Sequence, residues 1–154
     1  MQPQAEILLV RGRWLFPGGT ELDKVITDGA LAIENGVIVE VGQWADLRPR
    51  YPDAPTLGSE NHAVLPGLIN AHHHSSGVTT VQQGIPDQVL EPWLLDLARR
   101  RRADSYLATQ LAAARLLRSG VTSVVDVHSG HGQPDAFAAG IERSLRAYDQ
   151  AGIR

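Results

Sequence analysis

Three consecutive histidines, His72-His73-His74, are the residues of this chain best suited to chemistry. They follow a short apolar run, Ala63-Val-Leu-Pro-Gly-Leu-Ile-Asn-Ala71, which reads as a strand buried on both faces. Side chains alternate along a strand, so His72 and His74 point one way and His73 the other. Two imidazoles on one face at a strand's end can hold a single metal ion. Neutral imidazole suits Zn²⁺ and also Fe, Ni or Mn. His73 is left a structural part, hydrogen-bonded behind the strand. The spacing by itself leaves a second reading open, three histidines in a solvent-exposed loop. The strand-end position and the preceding Pro66-Gly67 favour the metal.

Other polar residues offer less. Asp126 and His128 lie at the end of a second β-branched run and share parity. Both can face a pocket, as substrate contacts or as partners orienting a ligand histidine; the plainer reading is a polar strand end bonded to loop backbone. His131 sits in a glycine-rich loop. Gln82 and Gln83 follow the histidines, where their amides either read a heterocycle or are simply solvated. His62, at the opposite end of the first run, reads as structural. Trp93 reads as core, and Trp14 and Trp44 as packing residues of a β unit.

The elements that must position these residues change character along the chain. Residues 1–60 read as short strands and turns. Asn35-Gly36 between two apolar runs marks a two-residue hairpin, whose central residues both need positive φ. Arg48–Ser59, with three prolines, reads as a connecting loop. A helix is expected over 87–102, starting nearer Glu91 because Pro92 suits a first turn, with Leu90, Leu94 and Leu97 on one side. A second is expected over Ser105–Arg118, with Asp104 as N-cap, Leu107, Leu111, Ala114 and Leu117 as its apolar stripe, and Gly120 as its stop. Val121–Val127 reads as a strand. Pro134–Gln150 reads as a helix with Phe137, Ile141, Leu145 and Tyr148 near one stripe. Gly152-Ile153-Arg154 then opens a further strand. Strands alternating with helices imply a parallel α/β sheet. A complete (β/α)₈ barrel needs about 250 residues, so the 154 here read as the front part of a larger protein.

Composition narrows the function classes. A chain 43% hydrophobic and 20% charged is neither disordered nor collagen-like. A formal net charge of −3 argues against a nucleic-acid partner. The basic run Arg99–Arg102 reads as the solvated end of a helix. With no cysteine there is no disulfide, thiol nucleophile or thiolate metal site. The first ten residues lack the basic start of a leader peptide, and the longest uncharged stretch is too polar to span a membrane. A cytoplasmic location is the expectation.

Leu65-Pro-Gly-Leu-Ile-Asn-Ala-His-His-His74 resembles the signature of the amidohydrolase superfamily: Pro-Gly, two apolar residues, Asp or Asn, any residue, His, any residue, His. Glu34–Gly42 resembles that family's N-terminal β-sandwich segment, and Gly120–Asp126 its second barrel strand. Asn70, in place of Asp, is similar to the cytosine-deaminase-like and chlorohydrolase-like branch. That branch usually uses one metal ion and acts on amino- or halogen-substituted heterocycles.

The resemblance implies an α/β fold: part of a small β-sandwich over 1–60, then the first strands and helices of an incomplete (β/α)₈ TIM barrel over 61–154. It implies one divalent ion, Zn or else Fe, on His72 and His74. The reaction it implies is hydrolysis of a carbon–nitrogen bond, by deamination of a cyclic amidine or other nitrogen heterocycle with metal-activated water. The leaving amine would take a proton from a nearby acid. The family's remaining ligands, two histidines, a glutamate and an aspartate, belong to later strands beyond residue 154, so this chain by itself is expected to be inactive. Family members are often dimers or larger. Two other functions stay open: a non-catalytic metal-binding module with His128 as third ligand, and one half of a split enzyme.

Overall fold

The computed structural model describes residues 6–19, 24–74, 77–101, 103–128 and 133–154. The chain divides into two compact units, Met1–Pro66 and Gly67–Arg154.

The first unit is a four-stranded sheet. Strand β1 (Ile7–Leu15) pairs antiparallel with β2 (Ile26–Glu34), and β2 with β3 (Val37–Gln43). The turn between β2 and β3 is the expected one: Asn35 and Gly36 take φ of 52° and 80°, with Glu34 opposite Val37. A short helix α1 (Trp44–Leu47) and a proline-bearing loop then carry the chain to β4 (Thr56–Val64). β4 lies parallel to β1, Leu9 opposite Thr56, and the sheet order is β3-β2-β1-β4. Leu9, Ala30, Ala32 and Leu47 form the buried core, with Ile7, Trp44, Tyr51 and Ala54 packed against it. The Arg48 guanidinium donates to the Ala54 carbonyl at 2.9 Å and so ties the loop closed.

Four expectations fail in this unit and at its end. Thr56–Ser59 is strand rather than loop, because parallel pairing through the backbone needs no apolar alternation, and the sequence there is polar. The run Ala63–Ala71 is two strands rather than one, broken at Pro66-Gly67, where proline supplies no N–H to a ladder. A boundary at 60/61 therefore falls inside β4, and the units part after Pro66. Trp14 is also 45% exposed, while Trp44 does pack on the core.

The second unit is a parallel two-stranded sheet with its helices. β5 (Leu68–His73) pairs with β6 (Val121–Asp126). Between them run α2 (Leu90–Asp96), continued by one 3₁₀ turn at Leu97–Arg99, and α3 (Ser105–Arg118). After β6 comes α4 (Pro134–Ala151), closed by Gly152 at φ 76°. The Arg154 N–H donates to the Thr122 carbonyl at 3.0 Å, and its carbonyl accepts from the Val124 N–H at 2.7 Å. That is the bond pattern of a parallel bridge, and it sets Arg154 beside β6.

α3 has the expected limits, and the Asp104 carboxylate accepts from the Leu107 N–H at 3.1 Å as its cap. Its buried face is not the expected one. Ala108, Thr109, Ala112, Ala113 and Leu116 are buried, whereas Leu107, Leu111 and Leu117 are exposed. The cause is the small-residue seam against α4, where Thr109 Oγ1 donates to Ser144 Oγ at 3.0 Å. On α4, Ser144, Ala147 and Tyr148 are buried, and Leu145 is 61% exposed. α2 is shorter than expected and buries none of its residues, so Trp93 is half-buried rather than core. Short amphipathic helices draw their stability from packing, and no described element packs closely on this one. Leu68 and Ile69 are likewise 54% and 72% exposed, contrary to a strand buried on both faces. Among the described residues β5 has one strand neighbour only.

Candidate metal centre

β5 delivers His72 and His73, and His74 follows its last residue. Its approach to β6 is close: a Cβ on Gly67 would lie 2.0 Å from Thr122 Oγ1, so only glycine fits there. The ladder pairs Asn70 with Val124 and then His73 with Asp126. Three steps on β5 thus face two on β6, a bulge at the histidines themselves. Bulges of this kind re-aim side chains beside active sites. The Asn70 carboxamide oxygen accepts from the His72 N–H at 3.2 Å. An aspartate would accept there equally well.

The rings of His72 and His74 lie 5.1 Å apart between centroids, edge to face at 78°. Two imidazoles bound through nitrogen at about 2.0–2.1 Å to one tetrahedral ion place their centroids roughly 5 Å apart. The centroid spacing of the pair matches that value. His74 Nδ1 lies 2.9 Å from the Val127 carbonyl oxygen. A carbonyl only accepts, so Nδ1 carries the proton and Nε2 is the nitrogen with a lone pair to offer. Backbone carbonyls play this part for metal-bound histidines generally.

His73 points the other way, as alternation requires, but the expected hydrogen bond is missing. Its Nε2 is buried and has no partner among the described residues. Asp126 is not brought to the side of His72 and His74. It pairs with His73, and parallel partners project to one face. Its Oδ2 accepts from the Tyr148 hydroxyl at 3.0 Å, so it looks toward α4. His128 packs against Phe137 of α4, ring centroids 5.5 Å apart and tilted at 49°, and its ring lies beside Gly140. Among the described residues no group of three His, Asp or Glu side chains could hold an ion. A module with His128 as third ligand is therefore not what these residues form.

Gln82 accepts from the Thr79 N–H at 2.9 Å and Gln83 from the Arg101 N–H at 3.0 Å, both as loop-closing bonds. His62 Nδ1 bonds the Ser59 hydroxyl at 2.9 Å within β4, the structural part expected of it. His131 lies outside the described residues. Sequence reasoning missed Val127, since a backbone carbonyl carries no residue signal, and it missed Tyr148, which the helical stripe had marked as packing alone.

Residues 63–154 match the family model described as "Amidohydrolase family", and residues 29–54 match "Imidazolonepropionase-like composite domain, bacteria". The chain is 37% identical over 130 residues to the 8-oxoguanine deaminase of Pseudomonas aeruginosa, covering 81% of this chain and 27% of that protein. It is 32% identical over 130 residues to a 5-methylthioadenosine/S-adenosylhomocysteine deaminase of Thermodesulfovibrio yellowstonii, covering 78% and 29%. Among solved structures it resembles an adenosine deaminase from Xanthomonas campestris with bound zinc, at TM-score 0.69 and 28% identity, covering 99% of this chain and 33% of that one. The chain thus spans a quarter to a third of the length of these relatives.

Proposed function

The chain belongs to the amidohydrolase family, and on that premise we propose that it supplies the first two metal ligands of a deaminase acting on an amino-substituted nitrogen heterocycle. The observation that carries this reading is the pair His72 and His74, at the end of a parallel strand with ring centroids 5.1 Å apart. Active sites of parallel α/β barrels form at that end of the strands. One divalent ion is the cofactor of this reading, zinc in the first place and iron in the second. Zinc is named in the description of the related adenosine deaminase.

When bound, such an ion lowers the pKa of water toward about 7 and orients it for attack. The chain's own residues do the rest of what is assigned to them here. His72 and His74 hold, Asn70 shapes the backbone leading into His72 through its N–H, and the Val127 carbonyl fixes the His74 tautomer. A catalytic zinc site takes about three protein ligands, and the third, with the proton donor for the leaving amine, lies outside the described residues. The relatives' names point to a purine or related heterocycle as substrate. No helix among the described residues is long and apolar enough to cross a membrane. A cytoplasmic enzyme for a small molecule, without nucleic-acid or membrane partner and assembling as a homo-oligomer, completes the proposal.

The test is ammonia release from aminopurines by the 154-residue chain with Zn²⁺. The expected result is no turnover, because two ligands do not complete the site. Robust turnover by this chain would overturn the assignment of the missing ligands to other residues.

A further inference from the structure

We infer that Tyr148, on α4, is a positioning residue for the metal ligand His74, acting through Asp126 and Val127. This rests on the reading of His74 as a ligand.

The bulge removes regular pairing where the histidines leave β5. Beyond it, two bonds join the strand ends and a third ties β6 to α4. The Val127 N–H donates to the His73 carbonyl at 2.7 Å, His74 Nδ1 donates to the Val127 carbonyl at 2.9 Å, and the Tyr148 hydroxyl donates to Asp126 Oδ2 at 3.0 Å. The first two run through one residue, Val127, whose place sets where the His74 ring is held. Asp126 precedes it directly. Tyr148 is 6% exposed and packs with Ala113, Leu116 and Ile153. One path from the helix layer to the metal face thus runs through the Tyr148 hydroxyl, the Asp126 carboxylate and the Val127 peptide. This also accounts for an aspartate at a strand end whose side chain faces away from the site.

The experiment uses the 154-residue chain with selectively labelled histidine, read by side-chain ¹⁵N shifts and by Zn²⁺ titration. Tyr148→Phe keeps the packed ring and removes the bond. It is expected to shift the His74 Nδ1 signal without metal and to weaken Zn²⁺ binding by about tenfold, the low end for lost partners of metal ligands. Asp126→Ala is expected to do the same, with the double variant no worse than either. Asp126→Asn retains an accepting oxygen and should keep the wild-type shift and affinity. His74→Ala separates the two ideas. If it leaves Zn²⁺ binding unchanged, the ligand reading fails. If it abolishes binding while Tyr148→Phe moves neither the His74 signal nor the affinity, the positioning role fails. Circular dichroism checks that Tyr148→Phe retains α4, and loss of helix there with an unmoved His74 signal also counts against the role.

Discussion

Replacing Thr109 by valine tests which face of α3 is buried. Thr109 is fully buried and Ser144 is 4% exposed, and their hydroxyls are 3.0 Å apart in the seam between α3 and α4. Valine matches threonine in shape, so no cavity opens, and what changes is one buried hydrogen bond. The Ser144 hydroxyl loses its donor but can still donate to its own helix backbone. That places the loss at about 1–2 kcal/mol, toward the lower part of the range for a stranded buried polar group. With a urea m-value of about 2 kcal/mol/M for a chain of this size, the midpoint falls by about 0.5–1 M. Thr109→Val with Ser144→Ala removes both partners, and the pair should recover part of the loss, giving a coupling of about 1 kcal/mol in a double-mutant cycle. Leu111→Gln, on the exposed stripe, should stay within about 0.5 kcal/mol of wild type. Urea unfolding followed by helix circular dichroism reads all four. A Thr109→Val variant as stable as wild type, with Leu111→Gln strongly destabilised, would refute the seam and restore the leucine face as the core.

Further outcomes follow from single sites. Gly36→Ala places a Cβ at φ 80° in the β2–β3 turn and should cost about 1 kcal/mol in urea unfolding, whereas Asn35→Gly should be near neutral. The Tyr51 hydroxyl donates to Glu40 Oε2 at 3.1 Å, and the bond, with burial and the carboxylate's charge, raises its pKa above the usual 10.0. A group whose folded pKa is raised stabilises fully below its unfolded value and less as pH climbs through the folded one. Tyr51 absorbance should thus titrate above pH 10, with stability declining over the same window, and Glu40→Gln should bring the midpoint down.

Much of this architecture is legible in the residues. Asn35-Gly36 names its turn, Asp104 and Gly120 bracket α3, and parity separates His72 and His74 from His73. What was not legible depended on neighbours. β4 is polar and is held to β1 by backbone bonds, so no apolar pattern announces it. α3 carries both a leucine stripe and an alanine-rich face, and periodicity reports both without saying which one α4 covers. Asp126 illustrates a different limit. Strand parity points it toward a pocket with His128, yet pairing with His73 across a bulge turns it toward Tyr148. The His74–Val127 bond involves a main-chain carbonyl and leaves no trace in residue identity.

The central claim is that His72 and His74 hold one ion together. It is tested most directly by Zn²⁺ titration of the 154-residue chain and of its His72→Ala, His73→Ala and His74→Ala variants, with binding read by competition against a chromophoric chelator. The account predicts one ion per chain, lost when His72 or His74 is replaced and retained when His73 is. Binding that survives both losses, or that depends on His73, would contradict it.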